Sequence, residues 1–183
     1  DTRYERYRVR DPSAERALLA RIGERGIEEP LSGVGDSTQV VLLDGFKRYR
    51  CACKLNLGQV PWVSVGADAA EGILSVLKPT ERKSLGILEE AQFLRELQVS
   101  QGMGLAEIAA SLSRSKSWVC LRIRLLEDLS EGVRERIFSG AFPAYAYMHV
   151  IRPFMRINGV AAGGIEAFVK AVSGRKLSVR EIE

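Results

Sequence analysis

The chain has 183 residues, 46% of them hydrophobic and 27% charged, and it carries a net charge of +4. That is enough apolar material for a core without disulfide staples, and it excludes disordered, collagen-like and disulfide-scaffold classes. The charge suits an anionic partner without requiring one. No apolar run approaches the roughly 18 residues of a membrane helix. Three cysteines and one histidine leave little for a metal centre or a catalytic triad. Cys51 and Cys53 form a C-x-C pair, yet only Cys120 and His149 remain as further soft ligands. We expect no metal site, no catalytic residue, and a packing role for His149 in the apolar stretch from Tyr145 to Ile151. The odd cysteine count suits a reducing cytoplasm.

In chain order, the arginine-rich start (Arg3, Arg6, Arg8, Arg10) reads as an entry strand or a basic arm. A helix follows from Asp11-Pro12-Ser13, with Ser13 as its cap, Leu18, Leu19 and Ile22 as its apolar face, and Gly23 and Gly26 ending it. Gln39 to Leu43 is a buried strand. Asp44-Gly45 then opens a helix with Phe46, Tyr49, Cys53 and Leu57 on one stripe, and Val60 to Val65 is the next strand. From Asp68 onward the pattern is helical. Breaks fall at Lys78-Pro79, Gly102 to Gly104, Ser113, Asp128 to Ser130, Gly140 to Pro143, Asn158 to Gly164 and Ser173-Gly174. The expected class is α+β: an α/β part over residues 1–82 and an all-helical part over 83–183.

Residues 105–126 have the pattern of a helix-turn-helix. Leu105, Ile108, Ala109 and Leu112 share one face, a short polar turn follows at Ser113-Arg114, and Ser115 caps a second helix. In that helix Val119, Ile123 and Leu126 face the core, while Ser117, Leu121 and Arg124 lie opposite and Lys116 and Cys120 flank them. Arg114, Lys116, Arg122 and Arg124 against Glu107 place +3 of the net +4 in this window. A short, capped, basic helix suits a major groove; a helical hairpin with a solvated basic face is the plainer alternative. The second informative segment starts at Gly45, where a strand turns into a helix, a usual place for a backbone anion site. Lys47, Arg50 and Lys54 recur at i, i+3, i+7. Like charges so spaced repel unless something anionic sits among them. The cluster suggests a phosphate-bearing ligand, with a solvated face as the alternative.

These segments in order resemble the ParB partition-protein family, a ParB/sulfiredoxin-like domain followed by a helix-turn-helix domain. Gly26-Ile27-Glu28-Glu29-Pro30-Leu31 is similar to its G-[VI]-x-Q-P-[LI] segment, and Gly45 to Ala52 is similar to its G-E-R-R-x-R-A-A box. Leu88 to Ala91 resembles the E-E-A that opens the linking helix. Ser115 to Val119, with Arg124 to Leu126, resembles the recognition helix, and Leu177 to Glu181 resembles the closing L-S-V-R-E. The resemblance implies sequence-specific binding of double-stranded DNA, with Ser115, Lys116, Ser117, Trp118, Arg122 and Arg124 as DNA contacts. It implies plasmid or chromosome partition, or a mobile-element role. A partition ATPase is an implied partner, and a dimerisation segment beyond Glu183 would make the full-length protein a homodimer. It also implies CTP with Mg²⁺, the phosphates falling on Gly45, Lys47, Arg48 and Arg50, with Arg82 kept from a further family segment; Lys78 joins these phosphate-binding candidates by a substitution.

Here the chain departs from the pattern. Phe46 replaces the acid of the box, Glu29 replaces the Gln, and Lys78 stands where a metal-associated carboxylate belongs. A cation repels Mg²⁺, so we expect a pocket that takes phosphate without the metal or has lost its ligand. In the recognition helix Leu121 stands where a polar residue is common, and Ala144-Tyr145-Ala146 replaces the usual G-H-A. A nucleotide-dependent enzyme (a CTPase or nuclease) and a partner-regulated adaptor are the alternative functions.

Overall fold

A computed structural model of the chain describes residues 1–8, 11–36, 38–78, 85–175 and 177–182. Over residues 1–8 the arginine-rich start is neither strand nor arm; residues 9 and 10 lie outside the described residues. Arg3–Tyr7 is a turn of 3₁₀ helix whose two tyrosines are buried. Both phenols converge on Glu96, which accepts from Tyr7 Oη at 2.9 Å and Tyr4 Oη at 3.3 Å. Burial and this carboxylate push the Tyr4 phenol up to about 12. Arg8, next in line, lies inside the fold. It donates to the Leu43 carbonyl and the Asp44 carboxylate, and its guanidinium lies against the Phe46 and Phe93 rings.

Helix α1 runs Pro12–Arg25. Its cap is Asp11 rather than Ser13: Asp11 Oδ1 accepts from the Ser13 and Ala14 amides. Pro12 at the first helical position needs no amide partner, which leaves Asp11 at the capping position. Three strands follow, one more than the sequence suggested: β1 Leu31–Gly35, β2 Val40–Asp44 and β3 Trp62–Ser64. The unforeseen β1 is central, antiparallel to β2 and parallel to β3. Its two glycines mask the strand pattern. Gly33 has the Val41 carbonyl 2.7 Å from where a Cβ would stand, so the close approach of β2 requires glycine there. Between β1 and β2, Asp36 accepts from the Thr38 and Gln39 amides, an Asx turn.

Helix α2, Phe46–Lys54, follows directly on β2, and α3, Ala69–Leu77, covers the sheet with Gly72 against Val34 and Leu43. The buried residues of α2 are Phe46, Cys51 and Ala52; Tyr49, Cys53 and Leu57 are exposed. The expected stripe therefore fails. The helix ends at Lys54, before Leu57, and α1 packs on its other side.

The remainder is helical: α4 Ile87–Val99, α5 Leu105–Ser111, α6 Lys116–Asp128, α7 Glu131–Phe138, α8 Ala144–Ala146, α9 Arg152–Asn158, α10 Ala162–Val172 and α11 Val179–Ile182. A widened π turn over Tyr147–Ile151 joins α8 to α9. Pro153 has no amide to donate to residue 149 and crowds that carbonyl, and the wider turn accommodates it. The turn puts Tyr147, Met148 and Ile151 inside and leaves His149 exposed, its ring 4.2 Å from that of Tyr145. The histidine is thus a surface residue, not the packed one expected. The predicted breaks between helices agree with the observed ends, except that α10 begins at Ala162 and so includes Gly163 and Gly164, and that the stretch after Lys78 lies outside the described residues.

Two apolar clusters form the interior. The first joins Tyr4, Leu31, Leu43, Phe46 and Ile73 to Phe93, Leu94 and Leu97 of α4, Ile108 of α5, and Val119 and Ile123 of α6. The second joins Leu88 and Ala91 of α4 to Leu125 and Leu126 of α6, Val133 and Ile137 of α7, Tyr147, and Val169 of α10.

Candidate nucleic-acid interface

Helices α5 and α6 form the anticipated pair. Ile108, Ala109 and Leu112 are buried on the first; Val119, Ile123 and Leu126 are buried on the second. The turn between them closes through Ser113, which takes a left-handed φ of 53°, with the Arg114 amide donating to the Ala109 carbonyl at 2.9 Å. Ser115 caps α6, its hydroxyl accepting from the Trp118 amide at 3.1 Å. That hydroxyl therefore has a structural task, since it pairs one of the first amides of α6.

The outer face of α6 carries Lys116, Ser117, Leu121 and Arg124, all exposed. Among the described residues neither Lys116 nor Arg124 makes an ion pair. Arg122 and Trp118 stand elsewhere. Arg122 Nε donates to Glu90 of α4 at 2.6 Å, and its side chain is only 15% exposed. Its guanidinium lies 3.7 Å from the centre of the Trp118 ring, which Arg114 also approaches at 5.2 Å. Trp118 packs against the first cluster. Planar cation and ring together lock α6 onto α4 and hold the outer face at a set angle. Glu90 was visible in the sequence only as a motif letter, since its partner lies 32 residues away.

At the second segment, Gly45 is left-handed (φ 93°) where β2 passes into α2. A side chain there would meet Leu31 and the Arg48 guanidinium. The surrounding cations are engaged within the molecule. Arg48 donates to the Glu29 carboxylate at 2.9 Å and the Glu29 carbonyl at 3.1 Å, and it reaches Asp44 at 3.5 Å. Arg50 pairs with Glu5 at 2.5 Å and Glu15 at 2.6 Å, and Lys54 pairs with Glu15 at 2.8 Å. The anion among the repeating α2 cations is thus a pair of carboxylates from the 3₁₀ turn and α1. Hydrogen bonds from Arg50 and Lys54 hold the Glu15 carboxyl down at about 2. Lys47 makes no ion pair among the described residues. Lys78 is exposed at the end of α3, and Arg82 lies outside the described residues. Cys51 is buried, where desolvation pushes its thiol up, while Cys53 is exposed. Among the described residues no group of three or more His, Cys, Asp or Glu could hold a metal ion, and no helix is long and apolar enough to cross a membrane.

No protein-family model matches the chain. Two curated relatives run its whole length. The probable chromosome-partitioning protein ParB of Coxiella burnetii is 29% identical over 182 residues, covering 99% of the chain and 60% of the relative. The probable chromosome 1-partitioning protein ParB of Deinococcus radiodurans is 27% identical over 184 residues, covering 98% and 60%. The chain thus spans about 60% of the length of these relatives. Among solved structures it is similar to C-terminally truncated ParB of Caulobacter crescentus. In complex with the centromeric parS site, that protein matches at 21% identity and a TM-score of 0.41, over 90% of both chains. In complex with CTP-γ-S it matches at 21% and 0.35, over 96% of this chain and 88% of the other. With motifs in order from Gly26 to Glu181, and relatives that match along its whole length, the chain is similar to the ParB partition proteins.

Proposed function

We propose that the chain binds double-stranded DNA by sequence and serves DNA partition, of a chromosome, a plasmid or another mobile element. The observation that carries this is the outer face of α6. Lys116, Ser117 and Arg124 project from a helix whose opposite side is wholly consumed by the core. Lys116 and Arg124 reach phosphates, and Ser117 reaches a phosphate or a base edge. Arg122, Trp118 and Ser115 set the position of α6 rather than touch DNA. Residues 83–183 carry this activity and residues 1–82 carry the Gly45 turn. The names of the relatives, chromosome-partitioning proteins, support the same reading.

The test is the salt dependence of duplex binding. Each phosphate contact contributes roughly 0.9 to the slope of log K against log salt. The Lys116→Ala/Arg124→Ala double variant should bind more weakly and lose about 2 from that slope. An unchanged slope overturns the assignment.

The Gly45 turn supports a second reading, as a nucleotide-phosphate site, through its left-handed glycine and adjoining arginines. CTP phosphates would have to displace Glu29 and Asp44 from Arg48, and Glu5 and Glu15 from Arg50. The residues present therefore do not fit a nucleotide without rearrangement. Glu29, which stands in place of the family's Gln, is itself one of the occupying carboxylates. The proposed role of this turn is a weak, Mg²⁺-independent phosphate site. Calorimetry with CTP, with and without Mg²⁺, tests it; tight Mg²⁺-dependent binding overturns it.

A further inference from the structure

We infer that Leu121 is a specificity-determining residue that reads the C5-methyl group of a thymine in the major groove. The inference rests on the DNA-binding reading above and names the base chemistry that α6 recognises. Leu121 is 51% exposed. A single exposed leucine is ordinary on a protein surface; the position of this one is what matters. It follows Ser117 by one turn and precedes Arg124 by one turn, so the three form a row at i, i+4, i+7 along the outer face. Ser117 and Arg124 are exposed on either side of it. The core side of the helix is filled by Val119, Ile123 and Leu126, each at most 7% exposed, so Leu121 has no internal cavity to join.

If α6 lies in a major groove with Lys116 and Arg124 on phosphates, the side chain one turn from both Ser117 and Arg124 on the outer face meets base edges. A leucine there neither donates nor accepts a hydrogen bond. Against guanine, cytosine or adenine it would cover polar edges and leave them unpaired, which disfavours those bases. The one apolar feature that a base pair presents in that groove is the thymine methyl. The same residue thus attracts thymine and rejects the alternatives, both halves of a specificity device.

The experiment begins with duplexes selected from a random pool by the unmodified chain at physiological salt. Each thymine of the selected site is then replaced singly by uracil, which removes the methyl and leaves every hydrogen-bonding group in place. Replacement of at least one thymine of the site should cost about fourfold in affinity, the value of one buried methyl or methylene group. Leu121→Ser should bind the thymine and uracil duplexes equally. Its exposed position keeps the fold intact, which circular dichroism checks. Equal affinity of the unmodified chain for thymine and uracil at every position overturns the contact while leaving DNA binding standing. A uracil penalty that persists in Leu121→Ser assigns the methyl to another residue and also overturns it. Absence of salt-dependent duplex binding is a different failure, which removes the DNA reading itself and this contact with it.

Discussion

Replacing Glu15 by Gln tests whether the α2 cations are a structural clamp. Glu15 Oε2 accepts from Arg50 Nη2 at 2.6 Å and from Arg50 Nε at 3.0 Å, and Oε1 accepts from Lys54 Nζ at 2.8 Å. The carboxyl is held at about 2 against an ordinary 4.5. A displacement of that size has a thermodynamic ceiling of roughly 3.4 kcal/mol. Lys54 is 57% exposed, and solvent screening reduces the usable part to about 1–2 kcal/mol. For a chain of this length that corresponds to a melting point roughly 2–8 °C lower for Glu15→Gln at neutral pH. The folded form holds the lower value, so the stabilisation is fully present above about pH 4.5. It fades as the pH falls through the window down to about 2. Thermal melts of the two proteins at pH 7, 5 and 3 should therefore differ, differ, and begin to converge. Equal melting points at pH 7, or a difference that does not shrink at pH 3, would refute the clamp. Arg50 would then be available for a phosphate.

Two further predictions concern positioning. Arg122→Ala leaves Glu90, 18% exposed, without its guanidinium and Trp118 without its stacking partner. Urea denaturation should show a loss of about 2–3 kcal/mol, whereas the salt slope of DNA binding should stay as in the unmodified chain, because the residue orients α6 without contacting phosphate. Gly72→Ala would place a Cβ 2.4 Å from Val34 Cγ1 and 2.5 Å from Leu43 Cδ1. Overpacking of this kind costs about 1–3 kcal/mol, read in the same assay, with the salt slope again unmoved.

The helical part was the most legible. The period of apolar residues from Leu105 to Leu126 and the capping Ser115 agree with the observed helices, because local rules decide them. Strand β1 was hidden because its glycines serve the close approach of β2, a tertiary demand that periodicity does not reveal. Arg8 read as part of a basic arm because nothing local announces that Asp44, Glu89 and two phenylalanines will enclose it. The same holds for the site. The exposed face of α6 follows from helix geometry, so the exposure of Ser117 and Arg124, and of Lys116 on their flank, was legible. The fates of Arg48, Arg50 and Arg122 depended on acids 4 to 45 positions away, and charge spacing along one helix cannot see those.

Helix α4 divides its apolar residues between the two clusters: Leu88 and Ala91 serve one, and Phe93, Leu94 and Leu97 the other. During synthesis, the sheet therefore leaves the ribosome with α3 against it but without α4, α5 and α6, which complete its interior. Gly72 of α3 already lies against Val34 and Leu43, but that interior is complete only once Phe93, Leu94 and Leu97 of α4, and then Val119 and Ile123 of α6, have followed. The N-terminal half thus closes its interior only with α6, the helix proposed above to meet DNA on its other side, and a nascent chain stalled before α6 would lack that last layer.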